Sequence, residues 1–146
     1  MRTRLTLLLY LSVFLFSING IAQNPTFEWA KQMGGNGHSN GRSIITDSKG
    51  NVLSTGNFRD TVDFDPGTGT TNLISAGKED IYIQKLDTNG NLLWVKKMGG
   101  TDSDIGYSIT TDAFGNVYTA GSFSDTVDFD PGSGTTSLIS SGSEDI

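Results

Sequence analysis

An all-β fold built from repeated four-stranded blades is predicted for this 146-residue chain by three observations. The text repeats itself at a constant offset of 65 residues, from Trp29 to Trp94 and onward, with about 33 identities in 53 aligned positions and no insertion. Beyond the first two dozen residues its apolar positions follow strand-like alternation, without helical periodicity. Short turn signals divide these stretches at regular intervals, each reading Asp, two free positions, then Gly-Asn.

The elements follow in order. Residues 1–22 read as a secretory leader: Arg2 and Arg4 give the positive start, "LTLLLYLSVFLF" the apolar run, and Gly20 and Ala22 the small residues that place cleavage after Ala22. The alternative is an N-terminal membrane anchor, but the apolar run is well short of the roughly 20 residues a spanning helix needs. Residues 23–40 hold a strand, "FEWAKQM", and a glycine-rich loop. That strand is the counterpart of "LLWVKKM", so it corresponds to the last strand of a blade and is positioned to close a ring against a C-terminal one.

Residues 41–98 form the first blade, with strands expected at 43–46, 52–58, 81–86 and 92–98. Its turns "DSKG" and "DTNG", and "DAFG" in the next copy, suit short hairpins: the aspartates Asp47, Asp87 and Asp112 accept turn amides, and the glycine takes positive φ. A long loop from Arg59 to about Lys78 separates the second strand from the third and carries "DTVDFDPGTGTT", which returns at Asp125 as "DTVDFDPGSGTT". Residues 99–146 give a second, incomplete blade.

Four-stranded sheets repeated at this spacing are the units of a β-propeller, here a truncated one. Helical solenoids are excluded by the missing helices and hexapeptide β-helices by the long period. An immunoglobulin-like sandwich fits the strand content but leaves the repeat unexplained. The segments "NGNLLWVKKMGG", "YSITTDAFGNVYTAGSF" and "DTVDFDPG" resemble the bacterial seven-bladed β-propeller repeat family, the SBBP repeat, over residues 27–146. The resemblance implies the propeller fold and an exported protein, secreted or at the cell surface, and it names no activity.

Composition restricts the partners. Sixteen acidic residues oppose ten basic ones, and two of the latter, Arg2 and Arg4, leave with the leader. Such a surface repels nucleic acid and anionic lipid, and once the leader is removed no membrane span is expected. The absence of cysteine removes any disulfide framework despite an oxidising destination.

The repeated phrase offers the one ion-site reading. Asp63 and Asp65, and Asp128 and Asp130 in the second copy, project alternate carboxylates to one side, where a hard cation such as Ca²⁺ would find oxygen ligands. The competing and stronger reading is structural: Val62 and Phe64 anchor the loop, Asp65-Pro66-Gly67 turns it, with proline presetting φ and Gly67 permitting a positive one, and the aspartates lie on the solvated side.

No catalytic residue is expected. His38 is unrepeated, matched by Ser103, and reads as a surface residue; Gly34, Gly35 and Gly37 lack the lysine of a phosphate cradle. Glu79 and Asp80 are adjacent on one strand, face opposite ways and cannot flank one glycosidic bond. Trp29 and Trp94 read as core residues ahead of sugar platforms. The sequence therefore predicts an exported, non-enzymatic module that binds an extracellular protein or glycan, adheres or scaffolds, with no required cofactor. Its rivals are the substrate-positioning part of a longer polysaccharide-active enzyme and a calcium-stabilised array.

Overall fold

The computed structural model describes residues 24–146. The leader expected at 1–22 lies outside the described residues. Among those described there is no helix long and apolar enough to cross a membrane.

Ten strands follow one another: β1 (His38–Thr46), β2 (Val52–Arg59), β3 (Thr61–Asp63), β4 (Asn72–Ile74), β5 (Asp80–Leu86), β6 (Leu92–Gly100), β7 (Ile105–Thr111), β8 (Val117–Ser122), β9 (Thr126–Asp128) and β10 (Ser137–Ile139). β1, β2, β5 and β6 pair in that order, every pair antiparallel, and constitute the first blade. β7 and β8 form the hairpin that begins the second. Each long excursion contains its own small hairpin, β3 with β4 and β9 with β10.

The four strands of the first blade lie where the alternation places them, and β1 extends further. It starts at His38 rather than at Ser43, because a bulge between Gly41 and Ser43 carries the pairing through the glycine-rich stretch. The same bulge recurs between Gly106 and Ser108 in β7. Residues 27–33 differ from expectation: they form no strand, and pairing begins only at Gly34, which bridges to Asp63.

The Asp-x-x-Gly-Asn turns form as their chemistry dictates. Gly50, Gly90 and Gly115 take φ of 80°, 77° and 87°. One oxygen of Asp47 accepts the amides of Lys49 and Asn51, and the other accepts the Asn51 side chain. Asp87 and Asp112 repeat the pattern with their own asparagines. The Lys85 ammonium, 2.8 Å from Asp47, adds to these bonds and holds that carboxyl well below the usual carboxylate range.

These turns lie at one edge of the blade. At the opposite edge β1, β2, β5 and β6 end at His38, Arg59, Asp80 and Gly100; there the first excursion leaves β2, and the second, which leaves β8, meets the end of β6. The core of the first blade also concentrates towards this edge, where Phe58, Val62, Phe64 and Tyr82 form one buried cluster backed by Met33, Leu73 and Val95. The second blade leans on the first through β7. Gly106 is a point of close approach, since a Cβ there would stand 2.4 Å from Thr55 Oγ1 and 3.1 Å from Ile81 Cγ2. Ile109 on the same strand is only 4% exposed, whereas its counterpart Ile44, with no blade against it among the described residues, is 68% exposed.

Candidate functional site

The loop edge carries the repeated phrase, and its geometry starts at a single residue. Asp60 sits at φ 62° and Asp125 at φ 60°, a left-handed pivot that an aspartate tolerates better than most residues. Three bonds set this pivot: the Asp60 amide donates to Ser75 Oγ, Ser75 Oγ to the Gly77 carbonyl, and the Ser75 amide to the Asp60 carbonyl. Asp125, Ser140 and Gly142 reproduce all three. Gly67 is not among the residues at positive φ; the positive-φ position of the excursion is its first aspartate.

From the pivot the chain runs outward with strict alternation. Val62 and Phe64 face inward and are 0% and 1% exposed, while Thr61, Asp63 and Asp65 face the other way. Phe64 meets Phe58 edge-on at 5.3 Å between ring centroids and lies tilted on Tyr82 at 4.9 Å. Its carbonyl accepts the buried Gln84 side chain at 2.7 Å. The excursion is thereby fixed to β5 from within.

A second attachment ties it to the preceding segment. The amides and carbonyls of Gly34 and Asp63 exchange two hydrogen bonds of 3.0 and 2.8 Å, and Gly37 donates to the Thr61 carbonyl. In the second copy Gly99 and Gly100, the end of β6, pair with Asp128 and Val127 of β9. A Cβ on Gly100 would come within 2.2 Å of the Thr126 carbonyl oxygen, so the Gly-Gly pair is what lets the two backbones meet. The phrase is a clasp that joins each blade to the last strand, or last-strand counterpart, before it.

The four aspartates singled out by sequence all lie in these clasps. Asp63 Oδ1 accepts the amides of Asp65 and Thr71, which hold its carboxyl below the ordinary range, and Asp65 Oδ1 accepts the Gly67 amide. Asp128 and Asp130 bond in the same way to Asp130, Thr136 and Gly132. Within each excursion the two residues belong to one hydrogen-bond chain. Among the described residues no group of three or more His, Cys, Asp or Glu side chains is arranged to hold a metal ion.

Sequence reasoning weighed Glu79 and Asp80 but missed Asp104, which lies with them at the blade junction. Asp104 is fully buried and accepts Gly100 N at 2.7 Å and Ser124 N at 3.1 Å, bridging β6 to the strand end beyond β8. Asp80, also fully buried, accepts Ala76 N and the Lys97 ammonium, each at 3.1 Å. Burial pushes both carboxyls above their ordinary range; Lys97 counteracts it at Asp80, and the Asp80 charge adds to it at Asp104. Glu79, the neighbour of Asp80, turns away and accepts the Ser103 hydroxyl. The only signal for Asp104 in the sequence is a break in the repeat, since its counterpart is Ser39.

The remaining singled-out residues stand apart from this junction. His38 is exposed at the start of β1, and among the described residues its side chain bonds to Asn40 alone. Trp29 is half-buried, and its indole N–H donates to the Thr88 carbonyl in the turn between β5 and β6. Trp94 is half-buried and lines a groove between the blades.

Residues 93–122 match a family described as a beta-propeller repeat, SBBP. Among curated proteins, one described as the uncharacterized WD repeat-containing protein L264 of Acanthamoeba polyphaga mimivirus is 32% identical over 120 residues. That alignment takes in 73% of this chain and 9% of the relative, so the chain spans less than a tenth of that protein's length. No solved structure matches the chain.

Proposed function

The chain is a β-propeller repeat protein of the SBBP type, and on that premise we propose that it is an exported, non-catalytic module that binds or scaffolds at the outer cell surface. The observation that supports this reading is the identical use of the excursion aspartates in the two copies. Asp63 and Asp128 accept homologous amides at 3.0 and 2.8 Å in both excursions, so these carboxylates are committed to holding a loop. What each excursion leaves outside is a tip of small residues, "GTGT" at 67–70 and "GSGT" at 132–135, exposed on one edge. Tips of this kind are a surface for an extracellular protein or a glycan, and the acidic balance turns nucleic acid away. Export rests on the leader that the sequence of residues 1–22 predicts.

Expression of the full chain in a bacterial host, followed by fractionation and N-terminal sequencing, tests both parts. The expected product lies outside the cytoplasm, begins at Gln23 and releases no reducing ends from polysaccharides. Retention in the cytoplasm with Met1 attached contradicts export. Release of reducing ends that disappears in Asp80→Asn or Asp104→Asn contradicts the non-catalytic assignment.

A further inference from the structure

The two copies diverge unevenly. Six of the seven positions at 36–42 differ from their counterparts at 101–107, against fourteen of the other 46 aligned positions. The backbone of that stretch is nevertheless alike in both, because a bulge leaves Arg42 unpaired between Gly41 and Ser43, and Tyr107 unpaired between Gly106 and Ser108. A bulge re-aims the side chain of its extra residue. Each copy therefore holds one exposed residue out of its ladder at a fixed place, while that residue changes from a cation to a phenol. A fixed backbone with changing side chains is how a rigid scaffold varies what it binds.

The two bulge residues meet. The Arg42 guanidinium carbon stands 5.9 Å from the centroid of the Tyr107 ring. Arg42 Nε donates to Oδ1 of Asn57 at 3.3 Å, and Asn57 is itself buried. The guanidinium is thus oriented through its face and through Nε. Among the described residues its two terminal nitrogens have no hydrogen-bond partner and no carboxylate pairs with it, whereas Lys78, Lys85 and Lys97 each hold one. Such a group presents a flat pair of donors, the geometry that takes a carboxylate in two parallel bonds. Beside it are the Tyr107 ring, 49% exposed, and the side chains of His38 and Asn40, alternate residues of β1 that bond to each other at 3.1 Å. A peptide C-terminus is ordinarily captured by backbone amides in a nest; the donors here are side chains flanking an aromatic ring, which suits a carboxylate borne on a ring of hydroxyls.

We propose that Arg42 and Tyr107 form a subsite for a carboxylate-bearing sugar, a uronic acid of an extracellular glycan. The carboxylate takes Nη1 and Nη2 of Arg42, the sugar ring lies against the exposed part of the phenol, and His38 and Asn40 offer partners to its hydroxyls. This deepens the binding assignment made above and rests on it.

Titration of sodium glucuronate into the isotope-labelled protein, followed by NMR, tests it, with glucuronamide as the neutral analogue and N-acetylglycylglycine as a carboxylate without a sugar ring. The expected result is saturable shifts at the Arg42 side-chain N–H and the Tyr107 amide, with the Gly34 and Asp63 amides unmoved. Glucuronamide is expected to bind about 10- to 100-fold more weakly, as the loss of a charge-assisted pair dictates, and Arg42→Gln to weaken glucuronate by the same factor. Tyr107→Leu is expected to weaken it about 2- to 10-fold. No saturable shift, equal binding of glucuronamide, unchanged affinity in Arg42→Gln, or equal binding of N-acetylglycylglycine at these residues overturns the subsite. Saturable shifts confined to the tips at 67–70 and 132–135 overturn it too, yet leave the binding assignment standing.

Discussion

Phe64→Ala is expected to lower folding stability by about 3–5 kcal/mol, the range for removing a large aromatic from a closed core. Phe64 is 1% exposed and touches both Phe58 and Tyr82, so the cavity would open in the middle of the buried cluster. The excursion would lose its inner anchor at the same time, and the Gln84 bond to the residue 64 carbonyl would be left without a fixed partner. The second copy supplies an internal control. Phe129 is half-buried and meets Phe123 edge-on at 5.1 Å, without a described counterpart of Tyr82 on its other side. Phe129→Ala is therefore expected to cost less, about 1–2 kcal/mol. Urea denaturation of both variants checks the difference, and equal losses would contradict an anchor that depends on a complete blade.

Gly106→Ala is expected to cost about 2–3 kcal/mol, as overpacking at a closed contact does, and to loosen the second blade from the first. The added Cβ would meet Thr55 Oγ1 at 2.4 Å, and that hydroxyl has no easy retreat because it donates to the Tyr82 carbonyl within the buried sheet. Gly41 occupies the same place in the earlier copy, yet a Cβ on it would find its nearest neighbour, the Tyr82 hydroxyl, at 3.5 Å. Gly41→Ala is expected to be neutral within about 0.5 kcal/mol. Limited proteolysis separates the two: cleavage within residues 105–146 should accelerate in Gly106→Ala only.

The strands and turns were legible because their causes are local. Alternation places β2, β5 and β6, and an aspartate three positions before Gly-Asn carries the side-chain hydrogen bonds of its turn within five residues. The inward course of Val62 and Phe64 was readable for the same reason. The clasp was not, because its partner, Gly34, belongs to the segment preceding the blade and nothing in either stretch names the other. A proline and a glycine in "DPG" drew attention to Gly67, while the left-handed residue is Asp60, held by Ser75 from across the excursion. Residues 27–33 carry a strand-like pattern yet form no strand, since pattern records which side chains want burial and pairing requires a neighbouring strand. Asp104 escaped because repetition was the guide, and a buried carboxylate used once leaves no echo.

The recurrent DTVDFD segment acts as a backbone clasp between successive repeats. Amide hydrogen exchange at Gly34 and Asp63, compared with the exposed tip at 67–70, tests it most directly. The account predicts that both amides, bonded at 3.0 and 2.8 Å to each other's carbonyls, exchange with the slow protection of β2 and β5, while the tip exchanges freely. If Gly34 and Asp63 exchange as fast as the tip while β2 and β5 stay protected, the excursion is an undocked loop and the clasp does not exist.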